Sequence, residues 1–143
     1  MNIHKIESPI LVAPSPTPFT KEGRVDYKGI ENNAEKWLTT ELSGFVLGTE
    51  NGEEQLLSFG EKKDICKSVI SVAKDKKIII AGIDNPSVKG TLEDAENYIE
   101  LGVDVLRIRI PRRRDTIDTY FDEVLRKISA PVLIIHQMAP GGF

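Results

Sequence analysis

Five short apolar runs recur along the chain at intervals of roughly 30 residues, about the length of one strand–helix–strand unit. They are Ile10 to Ala13, Phe45 to Leu47, Lys77 to Ala81, Val103 to Ile110 and Pro131 to Ile135. The stretches between them carry the three-and-four spacing of amphipathic helices. Tyr27 to Leu38 has Asp26 as its N-cap and Ile30, Ala34, Trp37 and Leu38 along one face. Glu61 to Ala73 is the second helix, with Ser58 and Glu61 at the spacing of a capping box. Thr91 is the expected cap of a third helix ending near Leu101, after a polar loop from Gly82 to Gly90. Asp115 or Thr116 starts a fourth, ending near Ile128, and the last strand runs into the loop MAPGGF. Strands separated by helices imply parallel pairing through right-handed crossovers. Two architectures fit: an open doubly wound sheet, or part of a (β/α)8 barrel. A complete barrel takes ~250 residues; the chain has 143, so length alone favours the open sheet.

Composition excludes several function classes. Hydrophobic residues make up 40% and charged residues 29%, as in an ordinary globular protein with a core. A net charge of -3 gives no general basis for nucleic-acid binding. No apolar run approaches the ~18 residues of a membrane span. The N-terminus lacks the basic start, apolar core and cleavage site of a secretory leader. Cys66, the one cysteine, excludes an internal disulfide and reads as a buried structural thiol in a reducing, cytoplasmic setting. The two histidines and one cysteine make no recognisable metal site, and neither GxGxxG nor a P-loop occurs.

The most informative segment is Gly44 to Glu61, in which an apolar strand ends in the polar, glycine-bounded turn Gly48–Glu53. In α/β proteins ligands sit in such loops, at the carboxyl ends of the strands. Arg107, Arg109, Arg112, Arg113 and Arg114 put five guanidinium groups in eight residues at the end of the fourth strand. They suit a phosphate or sugar-acid carboxylate; subunit-interface ion pairs or a solvated loop are the competing expectation. Arg107 and Arg109 alternate with Leu106, Ile108 and Ile110, so one face of a central strand is cationic and needs carboxylate partners. His136 lies at the same rim, where an imidazole can serve as a general base. His4 is expected to be solvated, and Glu53 and Asp84 to have helix-start and turn roles.

The run Ala13-Pro14-Ser15-Pro16-Thr17-Pro18-Phe19, followed by Gly23 and Val25-Asp26-Tyr27, resembles the opening of the dihydrodipicolinate synthase / N-acetylneuraminate lyase family. Four further segments resemble it in order: Gly48–Glu53 with Leu57-Ser58-Phe59-Gly60-Glu61, Ile80-Ala81-Gly82, Leu101-Gly102-Val103-Asp104 to Pro111, and Pro131-Val132-Leu133. The resemblance implies a TIM-barrel (β/α)8 fold, present as about four βα units plus a fifth strand. Residues 1–143 would form a single domain, the N-terminal part of such a barrel. It also implies class I lyase or aldolase chemistry on pyruvate or another 2-oxo acid, without a cofactor, in a homo-oligomer. Members hold the keto acid as a Schiff base on a sixth-strand lysine and relay protons through a fifth-strand tyrosine. The second-strand turn binds the carboxylate, which assigns Thr49, Glu50 and Asn51 to substrate.

The chain departs from that pattern in four places. No lysine has a matching position. The motif PVLLYNVP..TG aligns without gaps on Pro131–Gly142, putting Ile135 at the tyrosine, His136 at the asparagine, Met138 at the proline and Gly141 at the threonine. Isoleucine cannot relay a proton, and His136, one position on, points to the opposite face of the strand. Glu50 replaces a hydroxyl residue, and a carboxylate ~4 Å from a substrate carboxylate costs ~4 kcal/mol at an effective dielectric near 20. Either Glu50 swings away, leaving Thr49 in its place, or the pocket no longer takes pyruvate. Pro111-Arg112-Arg113-Arg114 lacks the aromatics of the fourth-strand segment. The chain alone is therefore expected to be inactive. A non-catalytic relative that binds an anionic metabolite or a protein partner through Arg113 and its neighbours is the alternative. An independent open α/β domain is the third. Edge strands at both ends of a partial sheet invite self-association.

Overall fold

A computed structural model describes residues 9–110 and 114–136. Five strands alternate with four helices: β1 (Val12–Pro14), α1 (Tyr27–Leu38), β2 (Gly44–Leu47), α2 (Phe59–Ala73), β3 (Ile78–Gly82), α3 (Val88–Leu101), β4 (Val105–Arg109), α4 (Ile117–Leu125) and β5 (Val132–Ile135). The strands form one sheet in the order β1-β2-β3-β4-β5, every neighbouring pair parallel. Among the described residues the order never reverses, so no doubly wound switch point occurs.

Side-chain alternation shows which face each helix covers. Phe45 and Leu47, Ile79 and Ala81, Leu106 and Ile108 point one way. They pack against Ile30 of α1, Ile65, Cys66 and Val69 of α2, Ala95 and Tyr98 of α3, and Tyr120 and Val124 of α4. The other face carries Val46, Ile78, Ile80 and Val105, joined by Val12, with no helix residue among them. All four helices therefore lie on one side. That is the arrangement of a barrel wall, as the family resemblance implies; the open doubly wound sheet that length alone favoured would place helices on both faces.

Local chemistry accounts for the helix starts. Asp26 caps α1 by accepting the Gly29 N–H at 2.9 Å. Ser58 and Glu61 form the expected capping box, Glu61 N–H to Ser58 Oγ at 3.3 Å and Ser58 N–H to Glu61 Oε2 at 2.8 Å. Gly102 ends α3 at φ +90°, a left-handed stop that a side chain rarely adopts.

Several boundaries differ from the sequence expectation. β1 begins at Val12, and Ile10 and Leu11 are exposed. α2 begins at Phe59, directly after its cap, and α4 ends at Leu125, short of Ile128. Thr91 does not cap α3: Ser87 does, accepting the Gly90 N–H at 3.0 Å, and Thr91 lies fully buried one turn inside. Two hydroxyl residues four apart compete for one terminus, and the outer one takes the exposed amides. β4 begins at Val105, since Asp104 turns its Oδ2 onto the Ile79 N–H at 2.9 Å. The loop MAPGGF lies outside the described residues.

Cys66 is fully buried, and burial pushes its thiol up to about 12, so it is protonated and inert near neutral pH. Among the described residues no helix is long and apolar enough to cross a membrane. Replacing Ser58 with Ala is expected to cost about 1 kcal/mol by loss of the capping box. Urea denaturation monitored by circular dichroism measures it, and an unchanged midpoint would show the cap to be idle.

Candidate binding site at the carboxyl ends of the strands

The polar turn after β2 is wound tightly. Gly48 takes φ +65°, Glu50–Gly52 and Glu54–Leu56 are single 3-10 turns, and Glu53 between them is left-handed at φ 56°. The Thr49 carbonyl accepts the N–H groups of Gly52 at 2.9 Å and Glu54 at 3.2 Å. Thr17 donates its hydroxyl to the Gly52 carbonyl at 2.7 Å, which joins the segment after β1 to this turn. Thr49 is buried and its hydroxyl has no hydrogen-bond partner among the described residues. Asn51 and Glu53 are exposed.

The cationic face of β4 finds its carboxylates here. Arg107, whose side chain is 5% exposed, sends Nη2 to the Gly48 carbonyl at 2.6 Å and to Asp84 Oδ2 at 2.5 Å. Arg109 donates from Nε to Asp84 Oδ2 at 2.9 Å and from Nη1 to Glu50 Oε1 at 3.0 Å, and Nη2 is paired with Glu54. Its backbone N–H reaches Asp84 Oδ1 at 2.7 Å. Glu54 also approaches Arg107, at 3.5 Å. Gly82 makes the crossing possible. A Cβ there would lie 2.5 Å from Arg107 Nη2 and collide with the Gly48 carbonyl.

Two guanidinium groups and three carboxylates thus tie the β2–α2 turn, the β3–α3 loop and β4 together. The expectation of an interface or solvated role does not hold for Arg107 and Arg109, whose partners are internal. The turn role expected for Asp84 is also corrected, since its carboxylate is the hub of the cluster. Glu54 was not singled out from the sequence. The signal that finds it is the demand of two strand arginines for acids at neighbouring strand ends, which the parallel register of β2, β3 and β4 supplies.

The cluster bears on the other sequence candidates. Glu50 spends its charge on Arg109, so it does not stand free in the turn as the bare repulsion argument assumed. Ile135 pairs with Arg109 in the β4–β5 register and shares its face. His136 follows the end of β5 and is exposed. Arg112 and Arg113 lie outside the described residues. Among the described residues no group of His, Cys, Asp and Glu is disposed to hold a metal ion.

Burial raises the Glu54 pKa, with Asp84 adding to the effect, against the pull of Arg109 and Arg107. Burial also opposes the Arg109 cation, but the Asp84 and Glu54 carboxylates outweigh it and hold its pKa above the usual value. For Glu54 the sign is that of an acid whose folded pKa exceeds its unfolded one. Its contribution to stability is full below the unfolded value and is lost as pH rises through the folded one. Glu54→Gln is therefore expected to flatten the pH dependence of the unfolding free energy just above the ordinary carboxylate range; an unchanged slope would contradict it. Arg107→Met leaves Asp84 buried without its closest cation and is expected to cost about 3–5 kcal/mol in urea denaturation. A loss below about 1 kcal/mol would show the cluster to be solvent-screened.

Comparison with known proteins agrees with this architecture. The pattern of the Dihydrodipicolinate synthetase family matches residues 8–138. The 4-hydroxy-tetrahydrodipicolinate synthase of Bdellovibrio bacteriovorus is 30% identical over 95 residues, 66% of this chain and 32% of that protein. An uncharacterized DapA-like lyase of Pyrobaculum neutrophilum is 28% identical over 128 residues, 87% of this chain and 42% of that protein. The crystal structure of a dihydrodipicolinate synthase from Bacillus anthracis superposes with a TM-score of 0.83 at 20% identity, over 93% of this chain and 46% of that one. An N-acetylneuraminate lyase from Mycoplasma synoviae superposes with a TM-score of 0.78 at 26% identity, over 92% and 47%. The chain spans less than half the length of these relatives. With five parallel strands walled by helices on one side and the family pattern running almost end to end, the chain belongs to the dihydrodipicolinate synthetase family.

Proposed function

We propose that residues 1–143 are the N-terminal part of a Schiff-base lyase or aldolase that acts on pyruvate or another 2-oxo acid, and that this part alone does not catalyse. The observation that carries the reading is the wall itself, five parallel strands in sequential order whose second face is clothed by no helix among the described residues. In the complete barrel a lysine amine adds to the keto carbonyl and expels water, and the iminium so formed draws electrons from the breaking carbon–carbon bond. Among the described residues none of the five strands carries a lysine, and Ile135 stands where the relay tyrosine belongs.

The β2 turn supports a carboxylate-binding role. Arg109 takes up the charge of Glu50, and the buried Thr49 hydroxyl beside it is the group we assign to the substrate carboxylate, with Asn51 at the rim. The second reading is a non-catalytic relative that holds an anion or a protein partner through Arg113 and Arg114. Ile135 favours it, because it removes the proton relay. Since Arg107 and Arg109 are engaged by carboxylates, that binding would rest on the later arginines. A buried single thiol fits a cytoplasmic setting.

Borohydride treatment with pyruvate, read by intact mass, tests the inactive assignment. The expected mass is that of the unmodified chain, and a pyruvyl adduct on any lysine would overturn it. Stabilisation by anions that disappears in an Arg113→Ala, Arg114→Ala variant would favour the second reading. β1 and β5 are edges of the described sheet, and Ile10, Leu11, Leu133 and Ile134 beside them are exposed. We assign these edges to self-association. Sedimentation is expected to show two or more chains per particle, and a monomer at micromolar concentration would contradict it.

A further inference from the structure

The acidic hub of the cluster is held from behind, by two hydroxyl groups buried in the helix layer. We propose that Tyr120 and Thr91 are positioning residues: their paired hydroxyls hold the turn at Asn85 and so aim the Asp84 carboxylate at Arg107 and Arg109. Neither role follows from packing, since phenylalanine and valine fill the same volumes.

Tyr120 on α4 and Thr91 on α3 are both buried, with Tyr120 Oη 2.7 Å from Thr91 Oγ1. Thr91 Oγ1 lies 3.2 Å from the Asn85 carbonyl and 3.0 Å from that of Ser87, and Tyr120 Oη lies 3.3 Å from the Asn85 carbonyl. The two hydroxyl protons have three acceptors between them: the partner oxygen, the Asn85 carbonyl and the Ser87 carbonyl. If Thr91 donates to Tyr120, the Tyr120 proton goes to the Asn85 carbonyl; if Tyr120 donates to Thr91, the Thr91 proton goes to the Asn85 or the Ser87 carbonyl. The pair therefore presses a donor on the start of α3 in any arrangement that uses both protons.

The remaining polar atoms of Asn85 are also held. Its N–H meets the Ile83 carbonyl at 2.8 Å, its Oδ1 accepts from Ser87 N and Oγ at 3.2 Å each, and its Nδ2 reaches Asp94 at 3.3 Å. Asp84 is the preceding residue, and its three contacts with the arginines depend on where this turn sits. Two polar side chains placed in an apolar layer cost desolvation unless they are matched, and here they match each other and the backbone of one functional loop. The proposal concerns geometry alone and stands apart from the 2-oxo-acid reading, which the borohydride experiment tests separately.

The test uses the 143-residue chain and nuclear magnetic resonance. One readout is the Arg109 Nε–H signal, which reports its bond to Asp84. The other is the 13C titration of the Glu54 carboxyl, which faces Arg107, Arg109, Asp84 and Lys62. Tyr120→Phe and Thr91→Val are each expected to move the Arg109 signal and to shift the Glu54 midpoint by about half a pH unit in the same direction. Thr91→Ser, which restores the hydroxyl, is expected to return both to wild-type values. Variants that fold with an unchanged Arg109 signal and Glu54 midpoint, whatever their melting temperature, would overturn the proposal. If Tyr120→Phe does not fold, the Thr91→Val and Thr91→Ser pair decides on the same readouts.

Discussion

Two guanidinium groups on one face of a buried parallel strand constrain this structure more than any other feature. A strand covered on both sides normally carries apolar residues throughout, and an unpaired charge there is costly enough that partners must come from elsewhere in the chain. Arg107 and Arg109 obtain them from the turn after β2 and the loop after β3. That requirement sets the path of both connections. Gly82 has no side chain because the Arg107 guanidinium passes over it toward Gly48, and Asp84 leaves β3 turned back toward β4. The rim of the sheet is thereby a cross-linked surface, although its connections are loops.

The same cluster resolves an apparent conflict between family and residue. The resemblance puts Glu50 where a hydroxyl residue belongs, and in this chain Arg109 on β4 takes up its charge. No such compensation is visible for Ile135, which lies beside Arg109 in the register and has no ionisable atom.

How much of this was legible in the sequence depends on how far apart the interacting residues lie. Helix α1 and the capping box of α2 rest on contacts within four residues, and Asp26, Ser58 and Glu61 stand where their spacing put them. The five strands were legible from apolar runs, but the runs do not say which face a helix covers, and chain length pointed to the wrong architecture. Thr91 misled because its helix-capping chemistry is the same as that of Ser87; only its contact with Tyr120, 29 residues away, shows that it faces inward. Asp84 and Glu54 were understated for the same reason, since each pairs with an arginine more than 20 residues distant. What the sequence did expose was the debt on β4, two charges without local partners.

A double-mutant cycle on Asp84 and Arg107 tests most directly whether the cluster is a single buried unit. Asp84→Asn, Arg107→Met and the double variant are compared with wild type by urea denaturation at neutral pH. The expected result is that the double variant is less destabilised than the sum of the two single variants by more than about 1 kcal/mol, because removing both partners leaves neither charge buried alone. Additive losses would mean that the two side chains do not depend on each other, and would contradict an account in which the strand arginines dictate the rim.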